Sequence, residues 1–211
     1  GRSVARHLAG AFLAQQRFFQ HDHGRLHRRH GLGQLACEPG DDGHRRCADG
    51  QSWVWDGVRF EVLHPLETDH DGGDRPNTVS CVLRVQGAGG SALLTGDIEA
   101  AQEAALLQRH GQQLGADMLL VPHHGSRTSS TPPFVDAVQP RVAVVQAAYR
   151  SRFGHPAPAV QARYAERGIT FVRSDACGAW TLPARGAPRC ERDVARRYWH
   201  HPGAVSAQDG P

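Results

Sequence analysis

Apolar residues in this chain occur in short runs that are separated by glycine- and aspartate-rich turns. Runs of about four to eight apolar, β-branched or aromatic residues between such turns are typical of β-strands. Strands are predicted at residues 53–55, 58–63, 79–85, 91–95, 118–121, 141–147, 169–173 and 179–182. Short turns predict that the first and second strands form a hairpin through Asp56-Gly57, and that the third and fourth strands form another. The last two strands are also expected to pair as a hairpin.

Three stretches between the later strands have the composition of helices. Residues 98–110 are rich in Ala, Leu, Glu and Gln, with Asp97 as the predicted N-cap and Gly111 as the stop signal. Residues 132–138 and 156–167 begin with proline, which suits the first turn of a helix. Strands that alternate with helices predict an α/β fold.

The turns after the fourth, fifth and sixth predicted strands carry an acid and three histidines. Asp97 follows the fourth strand, His123 and His124 follow the fifth, and His155 follows the sixth. The ends of neighbouring strands are where α/β proteins collect their chemistry. Carboxylate and imidazole groups suit zinc, and one Asp can bridge two metal ions. Any one of these side chains alone is an ordinary loop residue, but the set favours a metal or catalytic site.

The motifs that carry these residues are TGDIE (95–99), VPHHGSRTSS (121–130) and FGHP (153–156), in this order. Together they resemble the C-terminal metallo-β-lactamase-like domain of the ComEC family, the inner-membrane channel proteins of DNA uptake in natural transformation. The resemblance extends from about Trp53 to Leu182. It implies an αββα sandwich, with the sheets inside and the helices outside, of which this chain contains mainly the C-terminal half.

The resemblance also implies a reaction, namely metal-dependent phosphodiester hydrolysis that degrades the DNA strand that is not imported. One or two divalent ions, zinc or manganese, are the implied cofactors. The predicted site comprises the catalytic residues His123 and His155, the metal ligands Asp97 and His124, and the phosphate-binding residues Ser126, Arg127 and Arg152. Two alternatives stay open: a hydrolase of a small substrate on the same fold, and a non-catalytic relic.

Residues 1–50 do not fit this pattern. They contain eight of the 24 arginines and six of the 14 histidines, and their apolar residues have no sustained period. They are interpreted as a basic arm, a disordered leader, or sequence outside the ancestral reading frame, which is the favoured hypothesis. The first metal motif of the family is expected here, and Asp22 and His23 in QHDHGRLH are predicted as its remaining metal ligands. Residues 51–183 then form the partial domain.

Composition adds limits on partners and compartment. A net charge of +3 does not by itself indicate nucleic-acid binding, although all 24 basic residues are arginines, which suit phosphate contacts. No apolar run has the length of a membrane span, so this chain alone is expected to be soluble. The resemblance implies an inner-membrane parent protein, with this domain on the periplasmic side in contact with single-stranded DNA and the parent's channel portion.

The cysteines and the C-terminal residues give weaker signals. Five cysteines without a C-x-x-C pair predict neither a disulfide framework nor a cysteine zinc site. Residues 184–211 are rich in Arg, Pro and Gly and are predicted to be mostly disordered.

Overall fold

The structure is a computed structural model that describes residues 25–26, 45–71, 76–183 and 186–195. Its centre is a seven-stranded mixed sheet made of strands β3 to β9. The strands are β1 (Arg25–Leu26), β2 (Arg45–Arg46), β3 (Ser52–Trp55), β4 (Val58–His64), β5 (Val82–Gly87), β6 (Gly90–Leu94), β7 (Met118–Leu120), β8 (Val142–Val145), β9 (Thr170–Arg173), β10 (Trp180–Thr181) and β11 (Arg189–Cys190).

Short helices connect and flank the later strands. They are α1 (Ala100–His110), α2 (Pro132–Val138), α3 (Pro158–Ala165), α4 (Ser174–Cys177) and α5 (Glu191–Val194). Single 3₁₀ turns occur at Glu67–Asp71, Pro76–Val79, Gly111–Leu114 and Pro122–Gly125. Because helices alternate with the later strands of a mixed sheet, the predicted α/β class is confirmed. None of the helices in the described part of the chain has the length and apolar character needed to cross a membrane.

The strands of the large sheet lie side by side in the order in which they occur along the chain. β3 to β6 are antiparallel; short turns join β3 to β4 and β5 to β6, whereas a longer connection between His64 and Val82 joins β4 to β5. β6 to β9 are parallel and are joined through α1, α2 and α3. The turn at Asp56-Gly57 has positive φ at both residues (49° and 75°), as a two-residue hairpin requires. Because β6, β7 and β8 are parallel, the loops that follow them leave from the same edge of the sheet.

Both faces of this sheet are apolar. Leu93, Leu119 and Ala143 lie on the face that α1, α2 and α3 cover, where they share a core with Leu106 and Phe134. The opposite face has its own cluster, in which Ala92, Leu94 and Leu120 join residues of β4 and β5. Alternate residues of one strand point to opposite faces, so the short uninterrupted apolar runs match a sheet buried on both sides.

Two disulfides correct the prediction from the cysteine pattern. Cys47 is bonded to Cys81, 34 residues away, and Cys177 is bonded to Cys190, 13 residues away. The prediction that the cysteines form no disulfide framework is therefore wrong for these four. Their pairing depends on the sheet, because Cys81 directly precedes β5 and Cys47 lies shortly before β3. Spacing alone does not contain that information. Cys37 lies outside the described residues.

The predicted final hairpin is also wrong. Ser174–Cys177 forms the helical turn α4 instead of a hairpin turn, and β10 pairs with β11 rather than with β9. The Ser174 hydroxyl both accepts a hydrogen bond from Ala147 N–H (2.8 Å) and donates one to its carbonyl (3.1 Å), which turns the chain away from the sheet after β9.

The structure describes only part of the two terminal regions, residues 1–50 and 184–211. Residues 186–195, predicted as part of a disordered tail, contain β11 and α5. Near the other end, β1 and β2 pair as antiparallel strands. The remaining residues of 184–211, most of 1–50, and the predicted ligands Asp22 and His23 lie outside the described ranges. The domain boundaries therefore stay predictions.

Candidate functional site

The loops after β6 and β7 are held together at the edge of the sheet. The buried Thr95 hydroxyl donates a hydrogen bond to the Leu120 carbonyl (2.7 Å). The His123 backbone N–H donates to the Gly96 carbonyl (3.0 Å). These two bonds place Asp97 beside the paired histidines, as the strand-end pattern predicts.

Both histidines of the pair have left-handed backbone conformations. φ is 48° at His123 and 55° at His124, within the turn Pro122–Gly125. A non-glycine residue in this region costs about 1–2 kcal/mol. Such strain persists only where surrounding contacts impose it, and it is common at functional sites. Here the Ser126 N–H closes the turn by donating to the His123 carbonyl (2.9 Å).

His124 and Asp97 are the two predicted metal ligands that lie within the described residues, and they face each other. Asp97 Oδ1 lies 3.5 Å from His124 Nε2, and both side chains are partly exposed. On its other side, His124 Nδ1 is 2.9 Å from the Gln146 carbonyl at the end of β8. A carbonyl only accepts, so Nδ1 donates this hydrogen bond and Nε2 of the same ring faces Asp97. This is the arrangement by which metal-binding histidines are usually oriented.

Asp97 is not the N-cap of the helix that follows it, which corrects the prediction from sequence. The helix begins at Ala100, and Glu99 is the N-cap. The Glu99 N–H donates to the Gln102 side-chain oxygen (3.2 Å). Asp97 instead donates its backbone N–H to the Ser80 hydroxyl (3.2 Å). Its carboxylate is therefore directed to His124 rather than used for capping.

Glu99 is a site residue that the sequence analysis did not identify. Its Oε1 lies 3.3 Å from His123 Nδ1, and it also accepts a hydrogen bond from the Asn77 amide (3.3 Å). The Thr128 hydroxyl lies 3.4 Å from the same His123 nitrogen. The available signal was a second acid two positions after Asp97 in TGDIE. Glu99 and Thr128 together orient the His123 ring.

His155 lies next to the paired histidines. Its ring centroid is 6.0 Å from that of His123, and its Nδ1 is buried without a hydrogen-bond partner among the described residues. Burial lowers the pKa of His155, and the neighbouring His123 and His124 lower it further. His155 is therefore neutral near pH 7, with a buried nitrogen that is able to accept or donate.

The predicted phosphate-binding residues differ in exposure. Ser126 is buried, and its hydroxyl is 3.1 Å from that of Thr128. Arg127 and Arg152 are exposed, and the Arg152 guanidinium carbon lies 4.7 Å from the Phe153 ring centroid. Phosphate binding by these three residues stays a prediction.

A buried carboxylate supports the loop behind the histidines. Glu103 of α1 is fully buried and accepts hydrogen bonds from the backbone N–H groups of Ser130 (2.5 Å) and Thr131 (2.7 Å). Burial raises the pKa of Glu103, while the bonds from Thr131 and Ser130 oppose that rise. Arg163 donates to the Ser130 carbonyl (2.9 Å), and the Tyr164 hydroxyl donates to the Ser130 hydroxyl (3.0 Å). Nothing in the helical pattern around Glu103 indicated this role.

The ligand atoms are of the type that a divalent ion prefers, but they are fewer than a complete site needs. Asp97 and the oriented Nε2 of His124 are suitable ligands, but a catalytic zinc site has about three protein ligands. Among the described residues, no group of three or more His, Cys, Asp and Glu side chains has the geometry of a metal site. The described part of the chain therefore provides two donors.

Comparison with known proteins places this chain in a family. No protein-family model matches the chain. The chain is 40% identical over 160 residues to "Competence protein ComA" of Neisseria gonorrhoeae, covering 75% of this chain and 23% of that protein. It is 39% identical over 171 residues to "Uncharacterized protein YcaI" of Escherichia coli, covering 79% of this chain and 22% of that protein. It is 32% identical over 121 residues to "ComE operon protein 3" of Bacillus subtilis, covering 57% and 15%.

The chain spans less than a quarter of the length of these curated relatives. The matched residues nevertheless make up three quarters or more of this chain in the first two comparisons. These similarities show that the chain belongs to the ComEC family of competence proteins and corresponds to a segment of its longer members.

Proposed function

We propose that this chain is the hydrolytic segment of a DNA-uptake protein and serves metal-dependent cleavage of the DNA strand that is not imported. The observation that carries the proposal is the pair formed by Asp97 and His124. The Gln146 carbonyl accepts a hydrogen bond from His124 Nδ1, so Nε2 of the same ring faces the carboxylate, 3.5 Å away. The Neisseria gonorrhoeae relative is named a competence protein, which supports a role in DNA uptake.

The second apolar face of the sheet supports a sandwich architecture. Its cluster is built from strand residues, with Trp53 stacked on Phe60 at 5.1 Å between ring centroids. Helices α1, α2 and α3 contribute their side chains to the core on the other face. An apolar sheet face needs a partner layer. We therefore propose that a second sheet covers this face in the intact parent, which completes a metallo-β-lactamase-like αββα sandwich.

In the proposed reaction, a water oxygen attacks phosphorus and gives up one proton, the phosphorus–oxygen bond to the leaving group breaks, and the leaving oxygen takes up one proton, so no net proton is gained or lost. Bound zinc or manganese would supply a water of lowered pKa and offset phosphate charge. Asp97 and His124 would hold the ion. His123, which Glu99 and Thr128 orient through Nδ1, presents Nε2 to the phosphate or the leaving oxygen. The neutral His155 would accept or donate a second hydrogen bond at the same place.

The disulfides support a location outside the reducing cytoplasm. Structural disulfides persist in oxidising compartments such as the bacterial periplasm. The Cys47–Cys81 pair links the segment before β3 to the start of β5, and the Cys177–Cys190 pair lies after β9. We propose that the segment works on the periplasmic side of the inner membrane, beside the channel portion of its parent.

Replacing Asp97 tests the proposal. The whole chain and its Asp97→Ala variant are dialysed against zinc, and bound metal is quantified with far-ultraviolet circular dichroism measured in parallel. Asp97→Ala is expected to lose most of the bound metal while the spectrum stays unchanged. Asp136→Ala is the matched control, because Asp136 is exposed and pairs with Arg167 at 2.6 Å on the surface between α2 and α3. Equal metal content in the parent and in Asp97→Ala would refute the assignment.

Cleavage of single-stranded DNA with added manganese gives the second readout. We expect slow cleavage by this chain, because the described residues provide two metal donors, and we expect Asp97→Ala to abolish it. Cleavage that survives in Asp97→Ala would overturn the mechanism. Metal binding that depends on Asp97, combined with hydrolysis of small esters or lactams and no effect on DNA, would assign a small-molecule substrate instead.

A further inference from the structure

The loop that joins β8 to His155 presents two aromatic side chains to solvent. Tyr149 is 46% exposed and Phe153 is 67% exposed. They are the exposed aromatic residues of the described part of the chain, and both lie within residues 147–155, here named the Arg–aromatic loop. Burying a Phe side chain typically contributes about 1.5–3 kcal/mol, so keeping such a ring in water gives up stability. A partner that covers the rings would account for their position.

Two arginines lie between the two aromatic residues in the sequence. Arg150 lies over the Tyr149 ring, with its guanidinium carbon 5.3 Å from the centroid, and Arg152 lies 4.7 Å from the centroid of Phe153. Neither guanidinium forms a salt bridge with a carboxylate among the described residues. Both positive charges therefore remain available to a negatively charged partner, and the rings hold them on the surface.

The loop is anchored at both ends. At its start, Ala147 is tied to the Ser174 hydroxyl through both backbone groups (2.8 and 3.1 Å). Just beyond its end, the Ala157 N–H donates to the Gly125 carbonyl (2.8 Å), which joins the loop to the paired-histidine turn. Inside the loop, the Gly154 N–H donates to the Ser151 carbonyl (3.0 Å). The rings are thus presented from a loop with fixed ends.

We propose that the Arg–aromatic loop binds single-stranded DNA by stacking unpaired bases on Tyr149 and Phe153, while Arg150 and Arg152 contact the adjoining phosphates. The proposal rests on the proposed function for the identity of the nucleic acid. Exposed rings stack on any unpaired base, whereas the bases of a duplex are already stacked on one another. Phe153 lies 6.0 Å from His155, ring to ring, so a base on Phe153 brings its own phosphate close to the histidines. The loop therefore selects single strands and positions them for cleavage.

Binding without cleavage tests this inference separately from the proposed function. Fluorescence anisotropy is measured in the presence of EDTA with labelled oligothymidylate, with an abasic strand of equal length, and with a duplex. The abasic strand has the same phosphates but no bases. The full chain is expected to bind oligothymidylate about tenfold or more tightly than the abasic strand, since stacking of one base on an aromatic side chain changes affinity roughly 5- to 150-fold.

Phe153→Leu and Tyr149→Leu are expected to weaken oligothymidylate binding by roughly fivefold or more and to leave abasic-strand binding unchanged. Arg152→Gln is expected to weaken binding of both strands and to reduce the salt slope by about 0.7. Val54→Ser is the matched control, because Val54 is 65% exposed on β3, at the far edge of the sheet.

Several results would overturn the proposal. They are an equal affinity of the full chain for the oligothymidylate and abasic strands, undetectable binding to either, tighter binding to the duplex, or an unchanged preference in both Leu variants. If Phe153→Leu instead loses binding to anionic phosphatidylglycerol vesicles while strand binding is unaffected, the loop is a membrane contact. A base-dependent preference without any cleavage activity would support the loop assignment and refute only the hydrolytic function.

Discussion

Gly125 joins the two histidine turns, and its replacement by alanine is expected to separate them. An added Cβ would lie 2.6 Å from Pro156 Cβ and 3.1 Å from Pro156 Cα. The proline ring is rigid, so the clash moves backbone rather than a flexible side chain. The affected backbone includes His124 on one side and His155 on the other. Gly125→Ala therefore perturbs the distance between the two turns directly.

The expected loss in free energy of unfolding has two parts, and the same substitution at a second glycine measures one of them alone. Gly125 has φ +76°, and an L-residue in this region costs about 1–2 kcal/mol. Gly168 has φ +66°, and nothing lies within 4 Å of its added Cβ. Gly168→Ala should therefore show the backbone cost alone. Crowding in a packed region adds about 1–3 kcal/mol, so Gly125→Ala should destabilise the protein by about 2–5 kcal/mol.

Urea denaturation followed by tryptophan fluorescence measures both free energies of unfolding. Gly125→Ala should lower the denaturation midpoint more than Gly168→Ala does, with the slope m unchanged. At temperatures where both variants are folded, zinc binding should fall in Gly125→Ala and stay at the parent level in Gly168→Ala. A Gly125→Ala variant no less stable than Gly168→Ala would refute the claim that the two turns are in tight contact.

Two further predictions concern buried ionisable groups. Burial and the Arg109 charge lower the pKa of His64 from its ordinary value of 6.5, although a hydrogen bond to a backbone carbonyl opposes them. As pH falls, His64 therefore takes up its proton in the unfolded chain before it does so in the folded protein, which lowers the free energy of unfolding. His64→Gln removes this group, so between about pH 7.5 and 5.5 its free energy of unfolding should decrease less than that of the parent. Glu103→Gln should lower the free energy of unfolding by about 1–3 kcal/mol in urea titrations, because one of two buried backbone N–H groups loses its acceptor. The exposed Glu166→Gln change should have an effect within about 0.5 kcal/mol, and equal effects of the two variants would contradict the role of Glu103.

Local patterns predicted most of the strands and the proximity of Asp97 to the paired histidines. The Asp56-Gly57 turn and the apolar runs of β6 to β8 were sufficient to locate the first hairpin and these three strands. Because parallel strands end at one edge, the turns that carry Asp97, His124 and His155 could be grouped without a structure. Turn chemistry and strand direction are short-range properties, and a single sequence contains them.

What sequence reasoning missed depends on long-range contacts or on competition between neighbours. Ile98 is fully buried and Glu99 has an extended backbone, so the helix begins after Glu99. The pairing of Cys47 with Cys81 requires the sheet register. The last turn became helical because Ser174 is bonded to Ala147, 27 residues earlier. None of these contacts has a local signature.

The strand order of the large sheet has a consequence for how the protein folds. Each strand of this sheet pairs with the strands directly before and after it in the chain, from β3 to β9. Each strand can therefore be added to an edge that already exists, with no later strand inserted between two earlier ones. Closing short loops costs less entropy than closing long ones, so such a sheet is expected to grow from one end to the other. A polypeptide that emerges progressively from a ribosome or a translocation channel is able to fold in the same order.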